Sequence, residues 1–154
     1  MNIYRMFLML MVLLMCFSFA MAQETAKDVA AIKATIQSAY VDGLQNEGDM
    51  TKIDKGFHPD FNLLGIGKDN SMWKLPISQW KEKVAENVKK GKMPRTGDDK
   101  VTIKFLNVDV TGTAAVAKIE FYIGKKLTYI DYISLYKFGE DWKIVNKIFY
   151  KLEK

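Results

Sequence analysis

The chain has 154 residues, 23 Lys+Arg against 18 Asp+Glu, a formal net charge of +5 and one cysteine. That length suits one domain with a sizeable core, and a hydrophobic content of 49% excludes a disordered chain. The basic residues are interleaved with acids, as in "KDVAAIK" and "KEKVAENVKKGK", a solvated-surface pattern that argues against a nucleic-acid partner.

The chain opens with Arg5, an apolar run from Met6 to Phe17, and Ala20-Met21-Ala22 before Gln23. A basic start, a short apolar core and an A-x-A-like site describe a signal peptide over residues 1–22, cleaved after Ala22. The run is short for a spanning helix, which needs about 20 apolar residues. The expectation is an exported protein, periplasmic or secreted, with no stable membrane span after cleavage; an uncleaved anchor is the rival. A lipid anchor at Cys16 is disfavoured, because Met15 precedes it and it lies inside the apolar run. Cleavage removes Arg5 and Cys16 and leaves 22 basic against 18 acidic residues, a net charge of +4. The remaining domain, 23–154, then has no disulfide and no thiolate ligand.

From Thr25, the positions Val29, Ile32, Ile36, Ala39, Tyr40 and Leu44 follow helical spacing. Thr25 and Asp28 resemble a capping box, with the acid facing the positive end of the helix. Gly48 breaks this helix, and Asp49 is placed to cap a second, short one reaching Phe57. Pro59 disfavours helical geometry at His58. "FNLLGIG" and "SMWKL" read as two short strands around a turn at Lys68-Asp69-Asn70. Ser78 is expected to cap a third helix with Trp80, Val84 and Val88 on one stripe, ended by Gly91. "GKMPRTGDDK" reads as a polar, mobile loop. Four extended runs follow, Val101–Val110, Thr113–Ile123, Leu127–Phe138 and Asp141–Tyr150, separated by short glycine-bearing links that suit antiparallel hairpins. Helices first and an antiparallel meander last define an α+β domain.

"FHPDFNLLGIG", "VDVTGTAAVAKIEF" and above all "LTYIDYISLYKFGEDWKIVNKIF" resemble the NTF2-like superfamily, and within it the branch described as "putative lumazine-binding", or SnoaL-like. The resemblance spans nearly all of residues 23–154. It implies an NTF2-like cone, three N-terminal helices packed on a strongly curved, mainly antiparallel sheet with a pocket between them. It also implies that a homodimer through the sheet is common. The superfamily hosts isomerases, dehydratases and cyclases beside many non-catalytic binders, so the fold does not fix the function.

One acid, Asp131, stands inside a strand pattern. Strict alternation puts it on a face with Leu127, Tyr129, Ile133 and Leu135, opposite Thr128, Ile130, Tyr132, Ser134 and Tyr136. In the last strand the same rule groups Asn146 with Trp142, Ile144, Ile148 and Tyr150, and sets Lys143, Val145, Lys147 and Phe149 opposite. Asp131 and Asn146 are thus expected to project together into the cone, an assignment that a single bulge reverses. Three readings of Asp131 stay open. It is structurally satisfied by Asn146, a tyrosine or a backbone amide; it orients a ligand or acts as a base in a pocket; or a bulge places it against Lys147 or solvent as a surface pair.

His58, the only histidine, is the other catalytic candidate, as acid or base near neutral pH. Its plainer reading is a turn residue bonded to the local backbone or facing water. One histidine and no cysteine in residues 23–154 give no basis for a zinc site, and neither a metal nor a cofactor is expected. Most aromatic residues should build the core. Tyr40, Phe57, Phe61, Trp80 and Tyr129, with Asp131 and Asn146, are the candidate lining of a pocket for a small, partly apolar ligand. The favoured reading is binding without chemistry. The alternatives are a SnoaL- or ketosteroid-isomerase-like proton-transfer enzyme using Asp131, and an interaction module with a collapsed pocket, whose outer face would carry Tyr132, Tyr136 and Phe149.

Overall fold

The computed structural model describes residue 23 and residues 25–153; the expected leader, residues 1–22, lies outside the described residues. Helix α1 covers residues 25–47. It is α-helical to 35 and passes into a π-helix at Ile36–Glu47. Then follow α2 (Met50–Gly56), β1 (Phe57–Ile66), β2 (Met72–Pro76), α3 (Ile77–Lys89), β3 (Val101–Thr111), β4 (Ala114–Ile123), β5 (Lys126–Phe138) and β6 (Asp141–Lys151). The six strands form one sheet in the order β2-β1-β6-β5-β4-β3. Every neighbouring pair is antiparallel except β1 and β6, which run parallel. The three helices pack on this mixed sheet as an α+β cone. Among the described residues no helix is long and apolar enough to cross a membrane.

The helical stripe seen in the sequence is the core face of α1: Ile32, Ile36, Ala39, Tyr40 and Leu44 are all buried. They meet Ala115, Ala117, Ile119 and Phe121 of β4 and Ile133 and Leu135 of β5 in one hydrophobic cluster. Gly48 ends α1 with φ of +74°, a left-handed conformation that glycine adopts without a Cβ penalty. Asp49 caps α2 by accepting hydrogen bonds from the Thr51 and Lys52 amides. The three hairpins of the meander turn on residues 112–113, 124–125 and 139–140.

Four features differ from the sequence expectations. Helix α3 starts at Ile77 after Pro76, so Ser78 lies within its first turn and not at its cap. Thr25 is itself helical, at the first residue of α1, and the Asp28 carboxylate is engaged elsewhere. The Asp28 Oδ1 accepts from Trp142 Nε1 and from Lys137 Nζ, each at 3.0 Å, joining α1 to the β5–β6 hairpin. The loop from residue 90 to 100, expected to be free, is tied to the body of the domain. Met93 is buried, and the Arg95 amide donates to the Asn46 carbonyl at 2.8 Å. The Asn46 side chain closes the loop like a strand edge, accepting from Val101 N at 2.8 Å and donating to Val101 O at 2.9 Å.

The fourth difference is in register. Opposite β5, the pairing runs Leu135↔Ile144 and then Ser134↔Asn146, which leaves Val145 as a bulge in β6. A bulge shifts side-chain parity by one residue and bends the strand. Trp142 and Ile144 point inward as expected; beyond the bulge Lys147 and Phe149 take that face, and Asn146 leaves it. A second shift, at Thr128, carries Leu127 off the face of Tyr129.

Two outcomes follow. Truncating Asn46 to Ala strands the buried amide and carbonyl of Val101, each orphan costing about 1–3 kcal/mol; chemical unfolding should register a loss of about 2–4 kcal/mol. The Asp28 carboxyl is held below its ordinary 3.8, chiefly by the Trp142 hydrogen bond and then by that from Lys137. As pH falls through 3.8 the unfolded chain therefore takes up its proton first, and stability held at higher pH is lost toward the lower folded pKa. In Asp28→Asn that acid loss should be absent, so the stability gap between the two proteins should narrow as pH falls from about 5 to 2.

Candidate functional site

The site is built around Asp131, which is 0% exposed at the middle of β5. Its Oδ2 accepts a hydrogen bond from the Tyr40 hydroxyl at 2.8 Å. Its Oδ1 lies 2.6 Å from the Lys147 ammonium, an ion pair whose angles fall outside hydrogen-bond geometry. Lys147 reaches it because of the Val145 bulge. Ile133 faces Lys147 and Asp131 faces Phe149, so the two charges are diagonal neighbours on the inner face.

The ammonium is boxed by aromatic rings, with Tyr40 and Phe149 centroids at 5.1 Å and that of Phe121 at 5.9 Å. These are cation–π distances. Burial pushes the Lys147 pKa down from its ordinary 10.5, against the pull of Asp131 in the other direction. Burial, with the Asp131 charge beside it, pushes the Tyr40 hydroxyl well above 10.0, so Tyr40 keeps its proton and remains the donor.

Above this pair lies a cavity of about 240 Å³. Its apolar wall is Leu63, Trp80, Phe121, Ile123, Tyr129 and Phe149; its polar groups come from Tyr40, Gln45, Arg95 and Lys147. Each wall has a distinct origin. Tyr40 and Gln45 belong to the π-helical part of α1, where i→i+5 bonding places residues five apart over one another. Trp80 comes from α3, edge-on to Tyr40 at 6.3 Å. Tyr129 stands edge-on to Phe121 at 5.6 Å and to Phe149 at 5.5 Å. Arg95 enters from the pinned loop.

Of the residues singled out from sequence, Tyr40, Trp80 and Tyr129 line the cavity, and Asp131 lies beneath it, behind Tyr40 and Lys147. Phe57 and Phe61 are core residues in edge-on contact at 4.9 Å, and Phe61 backs Trp80 at 6.2 Å. Asn146 is turned away from Asp131 by the bulge and donates to the Asn62 carbonyl at 3.0 Å, tying β6 to β1. His58 stacks on Phe138 at 4.8 Å and accepts from the Asp60 amide at 3.2 Å; it does not line the cavity. Phe149, assigned by alternation to the outer face, faces inward. Gln45, Arg95 and Lys147 were not anticipated as lining. Adjacent Ile144 and Val145 break the alternation of β6, and that was the available signal for the parity change. Among the described residues no three His, Cys, Asp or Glu side chains gather as a metal site would need.

The chain belongs to the family described as "Putative lumazine-binding", whose model matches residues 27–150. Solved structures share its fold. An NTF2-like protein of unknown function from Shewanella baltica matches at 21% identity and a TM-score of 0.64, over 84% of this chain and 97% of that one. Another from Silicibacter pomeroyi matches at 16% and 0.65, over 83% and 98%. A structure described as a putative dehydratase of the NTF2-like family, from Streptomyces avermitilis, matches at 11% and 0.56, over 84% and 99%. No curated protein matches the sequence.

The buried pair carries its own test. Removing one partner of a buried ion pair is strongly destabilising, about 3–5 kcal/mol, whereas replacing both with apolar groups is often neutral or better. Urea unfolding should show Lys147→Met and Asp131→Leu each costing about that much, and the double variant costing less than either alone.

Proposed function

We propose that this domain binds a small, partly apolar molecule in the cavity above Lys147 and performs no chemistry on it. The observation that carries this reading is the closure of Asp131. The acid best placed to move a proton is fully buried, with Tyr40 on one oxygen and Lys147 on the other. A carboxylate so engaged is beyond the reach of a molecule in the cavity, which a general base must approach to about 2.6–3.2 Å. The cavity itself suits binding. Trp80, Tyr129 and Phe149 offer flat aromatic faces, and a few polar groups remain to fix orientation. Its volume is below the roughly 300–1,000 Å³ of drug-sized sites, which favours a ligand of one or two rings. Were the domain instead to act as the Streptomyces avermitilis structure is described, the group facing the substrate would be Lys147, not Asp131.

The family's description is consistent with a small-molecule ligand. Export after cleavage at Ala22 and a homodimer through the sheet complete the proposal. The first is supported by the pattern of residues 1–22, the second by exposed Val116, Tyr132, Tyr136, Ile148 and Tyr150 on the outer face.

Mass spectrometry of the purified protein under native conditions tests the binding reading. A stoichiometric small molecule should accompany the wild type, be lost from Tyr129→Ala with the fold retained, and be recovered chemically unchanged after incubation. Its steady conversion by the wild type, abolished in Lys147→Met, would establish an enzyme instead.

A further inference from the structure

We infer that the cavity selects a ring carrying a negative charge, and that Arg95 is the residue that does the selecting. This rests on the binding reading above and specifies its ligand class.

Two cationic side chains line the cavity, Arg95 and Lys147, and neither an Asp nor a Glu does. The charge of Lys147 is spoken for, because the Asp131 carboxylate lies 2.6 Å away and the pair is neutral as a unit. Arg95 makes no ion pair among the described residues. On its outer side it borders a cleft that also includes Lys92 and Asp99, without pairing there. The guanidinium is thus the uncompensated charge of the cavity.

Its backbone is held for the purpose. The Arg95 amide donates to the Asn46 carbonyl, buried Met93 lies two residues before it, and the Asn46 clamp on Val101 fixes the far end of the loop. Fixing the backbone lowers the entropy lost when the side chain engages a ligand. Half-buried Arg95 stands at the edge of an apolar wall that screens charge less than water does. A guanidinium presents paired N–H donors that match a carboxylate or a comparable planar anion in two parallel hydrogen bonds. Gln45 supplies a neutral amide nearby, and the ring of such a ligand would lie against Trp80, Tyr129 and Phe149. A cationic ligand would meet positive charge without a lining carboxylate to offset it.

Titration with a matched pair of probes tests the inference. 2-Naphthoate and 2-naphthamide have nearly the same shape and differ in charge. Binding is read by tryptophan fluorescence and calorimetry at low salt, with Arg95→Gln and Arg95→Lys beside the wild type. The naphthoate should bind at least tenfold tighter than the amide. Arg95→Gln should weaken the naphthoate far more than the amide and bring the two to nearly equal affinity, with the melting temperature unchanged, and Arg95→Lys should retain part of the preference. Equal affinity for the two probes in the wild type, or a preference that survives Arg95→Gln, would overturn the inference. If the probes bind equally and Tyr129→Ala abolishes both, the binding reading stands and the charge selection falls. If neither probe binds, the charge selection falls, and the binding reading is decided by the native mass spectrometry above.

Discussion

A lysine ammonium pressed against a carboxylate that water cannot reach is the constraint on which this structure depends. Each charge alone would be intolerable at that depth, since the effective cost of burying one ion is several kcal/mol. Together each charge offsets the other, with the Tyr40 hydroxyl on the second oxygen and three aromatic rings around the cation. The arrangement also has mechanical consequences. Tyr40 belongs to α1, Asp131 to β5 and Lys147 to β6, so one cluster ties the helical layer to two adjacent strands. Replacing such a pair by hydrocarbon of similar volume is often neutral for stability; what would go is the polar floor of the cavity.

Two local irregularities make the cluster possible, and both break the periodic rules by which elements are read. The Val145 bulge turns Lys147 inward, and the π-helical stretch of α1 brings Tyr40 and Gln45 over the same opening. Bulges and π-helical segments are each over-represented next to functional sites. Here they act on the same few side chains from opposite layers, which is a structural reason to read the cavity as a site and not as a packing remnant. The Asn46 clamp, at the end of the same helix, adds the third wall by fixing the loop that presents Arg95.

Much of the fold was legible in the sequence, because periodicity and turn chemistry are local. The α1 stripe, the Asp49 cap, the helix end at Gly48 and the hairpins at residues 112–113, 124–125 and 139–140 all depend on residues a few positions apart. The family resemblance was legible in the closing strands for the same reason. What escaped was non-local. Nothing near Phe57 announces its parallel pairing with β6, and nothing near Asp28 announces a bond to Trp142, 114 residues away. At the site, strict alternation placed Asp131 correctly on the inner face and then chose the wrong neighbour, Asn146 for Lys147. The difference is a single residue of register, and of the three open readings of Asp131 it leaves a structurally engaged acid sealed beneath the pocket. A pair of Asp131 with Lys147 was among the open possibilities, but as a surface contact; it is buried.

Lys147 sits inside the aromatic box, against Asp131. Nitrogen-15 NMR of the lysine ammonium groups addresses this placement directly. One ammonium signal should appear, absent in a Lys147 variant, with protons slow to exchange with water and displaced upfield by the rings of Tyr40, Phe121 and Phe149. A Lys147 signal that is solvent-averaged and indistinguishable from the surface lysines would contradict it.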